Sequence, residues 1–305
     1  MYKNFFLFLI FFLYTPNLYA SEIIPSDVYR EVYKIHEEID IIKKHFGITK
    51  GWDNEETPRV DANLKPRHVW QKAYLILVKI NILRMNLKLP RIEEVGIEPM
   101  LELHPNMVYE MTQRILVELR IIKKLYNISS KIEEAPIFTN KKPLDVFNFL
   151  HHVSLEMDLL NEHQLTPTDT YAQVKRLYDD ITIILDNLEV MDKTIPPEKN
   201  KNSTTLDAFN AVFEFLEIIQ NIQKTMGLER VDYFSFKSKK PEPADVVNLV
   251  GMATVELQVI KAFLGMTHEV TPPARHYYAK QPADVEQLIR WCIERMKLIR
   301  TLKEF

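Results

Sequence analysis

The nine histidines are the side chains of this sequence best suited to bind a metal, but their spacing builds no ligand set. A di-iron helix bundle needs Glu three residues before His on one helix, and no His here has that neighbour. His36-Glu37 and His268-Glu269 lack the second His of a zinc-protease motif. Only His152 and Glu156 share a helix face, as many surface pairs do. We therefore predict no metal ligands, with His152 and Glu156 as the first candidates if a metal were found.

The sequence patterns of nucleophilic and phosphate chemistry are also missing. The six glycines are scattered and form no phosphate-binding loop, and no GxSxG motif occurs. The single cysteine, Cys292, falls on an apolar helix face, where the role of a small hydrophobic residue is typical. There is no CxxCH motif for covalent haem attachment. The sequence predicts no catalytic residues, no cofactor and a protein that is not an enzyme.

The chain is built from a helical unit that recurs eight times. The units start at Pro25, Pro66, Pro105, Pro143, Pro167, Thr205, Pro243 and Pro282. Successive starts are 41, 39, 38, 24, 38, 38 and 39 residues apart, a period typical of repeat proteins. The first unit carries apolar residues at alternating spacings of four and three: Val28, Val32, Ile35, Ile39, Ile42 and Phe46. This spacing predicts one apolar stripe along a helix, the core seam.

An aromatic residue stands beside the first seam position in six of the units. These residues are Tyr29, Trp70, Tyr109, Phe147, Tyr171 and Phe209. Their rings could line a ligand groove, but at helical spacing they are more typical of a core. We expect them to widen the buried stripe.

Most units carry start and stop signals for a helix of about 20 residues. Pro suits the first turn because its missing N–H is not needed there, and Asp two residues later complements the helix dipole. His68 and Met107 stand where the other six units have this Asp. Gly or Asn before an apolar residue predicts the helix ends, at Gly47, Asn86, Asn127, Asn187, Gly227 and Gly265.

Residues 1–20 have the features of a secretory signal: Lys3, an apolar run over residues 5–14, and Ala20 for cleavage. The run is short for a membrane span, so we expect membrane contact only through an uncleaved signal, if at all. Cleavage would remove Lys3, the only charged residue of this segment, and change the net charge from −3 to −4. Such a mild charge gives no case for nucleic-acid binding. We expect a soluble, exported protein of the periplasm or the extracellular space, without internal disulfides because it has one cysteine.

The connections between units are long, as in residues 48–65, 87–104 and 188–204. Several hold apolar side chains that would be exposed in a free loop: Ile92, Val95 and Ile97; Ile137 and Phe138; Tyr233, Phe234 and Phe236. At about 3.3 Å per residue such a segment can span a whole helix. We therefore expect extended segments that run back along the helices.

One connection, residues 161–166, is too short to do this, since it reaches about 20 Å at most. We predict that the fourth and fifth helices form an antiparallel hairpin there. The chain then divides into two halves of four units, residues 21–162 and 163–305.

Charged residues flank the core seam at a constant offset. Acidic residues stand thirteen positions after five of the unit starts: Glu38, Glu118, Glu156, Asp180 and Glu256. Basic residues stand five positions further on: Lys43, Arg84, Lys123, Lys261 and Arg300. An offset of five is typical of parallel coiled-coil neighbours, whereas antiparallel up-down bundles are the commoner arrangement. The sequence leaves both helix orders open.

The sequence thus predicts an all-α protein of eight repeated amphipathic helices with long Pro-containing connections, arranged as two quasi-equivalent four-helix halves. Repeat proteins present extended surfaces, and this sequence has no catalytic motif. We therefore expect an exported, non-catalytic binding or scaffolding module whose partner is another protein. The alternative is a periplasmic sensor that holds a small molecule between its helices. A buried, convergent polar cluster would favour the sensor, and an exposed aromatic face would favour the scaffold.

Overall fold

The computed structural model describes residues 22–51, 63–92, 95–161, 165–231, 233, 236 and 238–300, and these residues contain eight α-helices and no β-strand. The helices are α1 (Pro25–His45), α2 (Pro66–Asn86), α3 (Pro105–Leu125), α4 (Pro143–Leu160), α5 (Pro167–Asn187), α6 (Thr205–Thr225), α7 (Pro243–Phe263) and α8 (Pro282–Arg300). Every helix begins at a predicted unit start. The predicted signal segment, residues 1–20, lies outside the described residues.

The Asp at the start of most units closes the first turn by a direct hydrogen bond. In α6, for example, the Asp207 carboxylate accepts the backbone N–H of Thr204 at 2.7 Å, and the Thr204 hydroxyl accepts the N–H of Asp207 at 3.3 Å. In α2 the Nδ1 atom of His68 accepts the N–H of Lys65 at 2.9 Å in the same way. His68 therefore replaces Asp as the capping acceptor.

The helix ends follow the predicted signal in four units and differ in two. Gly47, Asn127, Gly227 and Gly265 adopt left-handed backbone conformations with φ between 54° and 76°. After α2 and α5, however, the left-handed residues are Lys88 and Glu189, not the predicted Asn86 and Asn187. The left-handed residue stands at the same distance from the unit start in all six, so the repeat position decides it rather than the residue type.

The core seams of four helices meet inside each half. In the first half the helices pack in the ring order α1, α3, α2, α4, and in the second half in the equivalent order α5, α7, α6, α8. Val32, Ile35, Ile39 and Ile42 are fully buried, whereas Phe46, after the end of α1, is 37% exposed. The predicted class, an all-α repeat with two quasi-equivalent four-helix halves, is confirmed.

Within each half the four helices are parallel. Pro25, Pro66, Pro105 and Pro143 line a single depression, so the four helix N-termini meet at one end of the first half. The starting residues Pro167, Thr205, Pro243 and Pro282 do the same in the second half. The commoner up-down order therefore does not apply to this fold.

Parallel helices require connections that return along the bundle, and many apolar side chains of these connections are covered. Ile97 and Tyr233 are buried, and Ile92, Val95 and Phe236 pack against the core. Ile97 also pairs with Thr271 of another connection through two backbone hydrogen bonds of 2.9 Å. Ile137 contradicts the expectation, since it is 85% exposed while its neighbour Phe138 turns inward to pack on Tyr29. Phe234 lies outside the described residues.

The two halves meet through α2 and α7, which cross in antiparallel fashion. Arg67 near the start of α2 contacts Glu256, whereas Lys72, further along, contacts Asn248, which lies earlier on α7. Gly251 permits this approach, because a Cβ atom there would lie 2.3 Å from Nε2 of Gln71. The predicted α4–α5 hairpin is wrong as a packing unit, because the described parts of these helices are not a main contact pair. The apolar surfaces of α2 and α7 dock the halves instead.

Candidate binding surfaces

The predicted charge pairs form a ring around the first half. Glu38 pairs with Lys123 at 2.5 Å and Glu118 with Arg84 at 3.0 Å, and Glu156 pairs with Lys43. Each pair joins position thirteen of one helix to position eighteen of its neighbour, as the offset of five predicts for parallel helices. On the remaining side, Asn161 donates to the backbone oxygen of Lys79 at 3.3 Å. These charges hold the helices in register and so occupy structural positions.

The second half keeps part of the same ring. Asp180 and Lys261 pair at 2.8 Å with both side chains 0% exposed. Thr271 and Gln258 also donate to the Asp180 carboxylate, at 2.6 and 2.8 Å. Gln223 stands at the basic position of α6 and donates to Glu256. Arg300 completes the predicted set, but its side chain lies outside the described part of the structure.

A buried polar cluster lies where α2 meets α7, and it is named here the junction cluster: Arg67, His68, Gln223, Tyr233 and Glu256. His68 Nε2 lies 2.6 Å from one Glu256 oxygen, and Arg67 Nε donates to that oxygen at 2.8 Å. Gln223 and the second Arg67 nitrogen donate to the other oxygen. Tyr233 adds a 3.2 Å contact to His68 Nε2. Both carboxylate oxygens are therefore saturated with donors.

The pKa shifts in this cluster favour one protonation state. Burial alone would raise the pKa of Glu256, but the hydrogen bond from His68 and the Arg67 charge outweigh it and lower that pKa to about 2. Burial lowers the pKa of His68 in spite of Glu256, and burial raises the pKa of Tyr233 well above its usual value. A neutral His68 fits the geometry, since Nδ1 accepts from Lys65 and Nε2–H is left to donate to Glu256. In this protonation state the hydrogen bonds from Arg67 and His68 to Glu256 link the two halves.

The junction cluster contains residues that the sequence argument did not connect. Two signals could have indicated them. His68 and Met107 are the two departures from the Asp start rule, and the first belongs to this cluster. In addition, α2 and α7 are apolar on more than one face, which is typical of helices buried on several sides.

Next to the junction lies a cavity of about 270 Å³, named here the methionine cavity, between α2, α3, α7 and the connection of residues 87–104. Its apolar walls include Trp70, Ile97, Met100, Leu103, Met107, Met111 and Val255. Arg67, Arg114 and Gln258 contribute polar atoms. Met107, the second departure from the Asp rule, therefore lines this cavity.

A second opening of about 510 Å³, the aromatic groove, lies between α1, α4 and the connection before α4. Tyr29, Tyr33, Phe138 and Phe149 form its rings, together with His36 and His152. The candidate pair His152 and Glu156 is 3.7 Å apart, and Glu156 is already bound to Lys43. Throughout the described ranges no group of three His, Cys, Asp or Glu side chains could hold a metal ion. The expectation of a metal-free protein remains a prediction.

The six predicted aromatic positions divide into two groups. Trp70, Phe147 and Phe209 are buried in the core, as expected. Tyr29, Tyr109 and Tyr171 are only partly buried and pack against the core from its edge. Lys141 lies 4.3 Å from the Tyr29 ring centroid, and Lys280 lies 4.3 Å from that of Tyr171. Since this contact recurs at equivalent places in both halves, we assign it to the repeat architecture.

Two further buried groups have shifted pKa values. Cys292 lies on the core seam of α8, and burial raises the pKa of its thiol to about 12, which suits a hydrophobic role. Burial, reinforced by the charge of Lys79, lowers the pKa of Lys72 to about 7. Lys72 has one long hydrogen bond, of 3.3 Å, to Asn248. Lys79 is better satisfied, with Asp158 at 2.6 Å and the Ser154 carbonyl at 2.8 Å.

An apolar stripe on α3 is exposed, and it is named here the α3 stripe: Val117, Ile121 and Leu125. These side chains are 51%, 38% and 54% exposed. The equivalent positions of α7 begin with Val255 and Val259, which are 2% and 4% exposed because α7 packs against the other half. The same face of the repeat is thus buried on one helix and open on the other.

One helix of the described chain, α7 (Pro243–Phe263), is long and apolar enough to cross a membrane, and 83% of that segment is buried inside the protein. Its apolar character has a structural reason, since α7 packs on α5 and α6 within its half and on α2 of the other half.

Comparison with models of known protein families, with curated proteins and with solved structures finds no match to this chain.

Proposed function

We propose that this protein is an exported, non-catalytic binding module that docks an amphipathic helix of a partner protein on the α3 stripe. The observation that carries the proposal is the contrast between α3 and α7. Val117 and Ile121 occupy the repeat positions of Val255 and Val259, which are buried on α7, the helix of its half that packs against α2 of the other half. The antiparallel packing of α7 on α2 is an example within this molecule of a helix docked on the equivalent repeat unit.

Charge complementarity indicates the chemistry of the partner helix. Arg120 and Lys124 are exposed and border the α3 stripe on one side. Arg120 pairs with Glu38 at 3.2 Å, and among the described residues no acidic side chain lies within salt-bridge distance of Lys124. A partner helix with an apolar face and acidic residues along its edge would match both features.

A second copy of this chain is a poorer occupant. The surface that receives α7 belongs to α2, and the equivalent helix of the other half is α6. Asn210 and Glu217 on α6 stand at the positions of Gln71 and Val78, and both are exposed and polar. The chain therefore offers an open apolar face at α3 without a matching free face at α6.

The proposal of export depends on residues 1–20 as a sequence pattern. Mass spectrometry of the protein recovered from its native cells would test it. A chain that begins at Ser21 in the exported fraction supports export, and an intact Met1 in the cytoplasm contradicts it.

Docking is best tested with a photo-crosslinking amino acid placed at Val117 in the full chain, in the native cells. The matched control site is Ile195, which is 79% exposed and lies in a connection of the other half. We expect a specific crosslink from position 117 and none from 195, to a helical peptide with acidic residues. The purified partner should then bind Val117→Glu/Ile121→Glu at least about tenfold more weakly than wild type, and bind Ile195→Glu normally.

Two outcomes would overturn this proposal. A crosslink from position 117 to a second copy of the same chain would make α3 a self-association face. Equal binding of the partner to wild type and to the double variant would place the contact elsewhere.

A further inference from the structure

We propose that an opening of about 490 Å³ between α1, α3 and the connection after α3 binds a small anion with two or more negative charges, such as a phosphate ester or a polycarboxylate. It is named here the basic pocket, after the donors that line it: Arg120, Lys123, Lys124, Ser129, Ser130 and Lys131. The pocket adjoins the α3 stripe, but it does not depend on the docking proposal because its ligand needs no partner protein.

The lining of the basic pocket is strongly positive. Its four cations face one acidic lining residue, Glu38, which leaves an excess of three positive charges. Lys123 donates to Glu38 at 2.5 Å and Arg120 donates at 3.2 Å. Lys124 and Lys131 are exposed and have no acidic partner among the described residues. A concave site lined by one sign of charge concentrates ions of the opposite sign, so the ligand is an anion and the excess favours several charges.

Arg120 offers the donors that such an anion needs. Glu38 accepts its Nε–H, while the two terminal nitrogens of the guanidinium make no hydrogen bond to any described residue. The Arg120 side chain is 52% exposed, whereas that of Glu38 is 3% exposed. The bond to Glu38 therefore anchors the guanidinium from its buried side and leaves the terminal nitrogens for an oxyanion, which such a pair can bind through two parallel bonds.

Two serines add uncharged donors to the same lining. Ser129 and Ser130 are exposed, and their hydroxyl groups have no hydrogen-bond partner among the described residues. Ile128 and Ile132 contribute apolar surface beside them. The volume falls in the range of small-molecule pockets, so the pocket has room for the organic part of a ligand as well as for its anionic groups.

Ordinary structural roles account for only part of these charges. Lys123 and Lys124 lie in the last turn of α3, where cations complement the helix dipole. Lys131 lies beyond the helix, and no ion pair or hydrogen bond to a described residue holds it. Cations gathered without acidic partners repel one another, and a bound anion would remove this repulsion.

The second half shows which of these charges the repeat itself requires. Counted from the unit start, the equivalents of Arg120, Lys124 and Lys131 are Gln258, Ala262 and Glu269. The second half does keep an ion pair equivalent to that of Lys123 and Glu38, formed by Lys261 and Asp180. The repeat therefore retains the buried pair, and the further cations belong to the first half alone.

The connection that follows the helix also differs between the halves. After α7 it turns at Met266, whose carbonyl accepts the N–H of Glu269 at 3.2 Å, and Thr271 then donates to Asp180 at 2.6 Å. After α3, residues 128–132 form no such turn. The second half thus closes over its ion pair, whereas the first half leaves a pocket beside its own.

The test is a titration of the full protein with pyrophosphate, citrate and acetate at constant ionic strength, measured by calorimetry and by NMR of the backbone amides. We expect pyrophosphate or citrate to bind at least about tenfold more tightly than acetate, which carries a single charge. The amide signals of Ser129 and Ser130 should shift saturably, and those of Thr267 and His268, at the equivalent unit positions, should not. Tighter binding of pyrophosphate assigns a phosphate ester as the ligand class, and tighter binding of citrate assigns a polycarboxylate.

Two variants separate the pocket from general charge attraction. Arg120→Gln introduces the residue type of the second half, and Lys131→Gln changes an exposed side chain outside the helices, so both proteins should remain folded. Each should weaken binding of the preferred anion at least about fivefold. Lys201→Gln is the matched control, because Lys201 is an exposed lysine in a connection of the second half, and it should bind like wild type.

The anion proposal and the docking proposal can fail separately. Lys131 lies beyond the α3 stripe, so Lys131→Gln should weaken anion binding and leave the crosslink from position 117 unchanged. Acetate that binds as tightly as pyrophosphate and citrate would overturn the anion proposal. Equal affinities of Lys131→Gln and Lys201→Gln, or shifts of Thr267 and His268 as large as those of the two serines, would overturn it as well.

Discussion

Lys72 is an ammonium group held between the two halves with little compensation. It is 2% exposed, and its contacts with described residues are a 3.3 Å hydrogen bond to Asn248 and the Phe147 ring at 5.7 Å, while the carboxylates of Asp245 and Asp158 act on it from further away. Burial lowers its pKa from 10.5 to about 7. Between these two values the unfolded chain holds a proton that the folded chain has released, so stability should rise with pH across this window.

We expect Lys72→Met to remove this rise and to stabilise the protein at pH 7 by about 1–3 kcal/mol. Near pH 10.5 the variant and wild type should converge. Lys79→Met is the matched control and should destabilise, because Lys79 is bound to Asp158 and to the Ser154 carbonyl. Urea melts from pH 6 to 10 would measure both, and equal slopes with pH in wild type and Lys72→Met would contradict the assignment.

Asp180 is a buried charge with several partners, in contrast to Lys72, because Lys261, Thr271 and Gln258 all donate hydrogen bonds to its carboxylate in the core. Asp180→Leu should therefore cost about 3–5 kcal/mol of unfolding free energy, because the Lys261 charge would stay buried without its partner. Glu214 pairs with Arg290 on the surface, so Glu214→Gln should change stability by less than about 0.5 kcal/mol. Chemical denaturation of both variants tests the difference, and a loss below about 1 kcal/mol for Asp180→Leu would show that this pair is not essential.

At the scale of the helix, the first-turn Asp residues have a measurable role. Backbone and side-chain hydrogen bonds from Thr204 lower the pKa of Asp207 below 3.8. Its contribution should be present above pH 3.8 and disappear as the pH falls through the lower, folded value. Asp207→Ala should cost about 1 kcal/mol at pH 7 and less at pH 2–3. Thermal melts at both pH values would check this, and a cost independent of pH would rule out the carboxylate as its source.

The core seam predicts which side of a helix tolerates a charge. Ile219 is fully buried in the middle of α6, so Ile219→Asp should destabilise by about 3–5 kcal/mol. Lys224 is exposed near the end of the same helix, so Lys224→Asp should change stability by under about 0.5 kcal/mol. Urea melts of the two variants with equal losses would show that the seam is assigned to the wrong face.

Local patterns predict the helices and their partners well, because each pattern recurs in most units. The pairing of Lys43 with Glu156 follows from an offset that is visible in the sequence. The junction is different, since His68 meets Tyr233 and Glu256 at separations of 165 and 188 residues. No repeat relates those positions. The predicted α4–α5 packing is wrong for a related reason. The length of the connection limits how far apart the two helices can lie, but it does not decide which apolar helix faces pack together.

At the scale of the molecule, the separate folding of residues 21–162 and 163–305 remains a prediction. The fragment 21–162 should retain helicity in circular dichroism, because its ring of four helices has its own core and charge pairs. It should also self-associate in size-exclusion chromatography, since the α2 face that contacts α7 would be uncovered. A disordered fragment would contradict the two-half organisation, and a helical monomer would contradict the importance of the α2–α7 contact.

The parallel order has a consequence for how quickly the chain can find its native state. In an up-down bundle a helix can pack on the next helix as soon as a short turn forms. Here the pairs that align the helices are distant in sequence, since Glu38 and Lys123 are 85 positions apart and Lys43 and Glu156 are 113 positions apart. All-helical proteins that are rich in local contacts commonly fold in microseconds to milliseconds. This chain should fold more slowly than an up-down bundle of the same length, because large loops must close before most of its core can form.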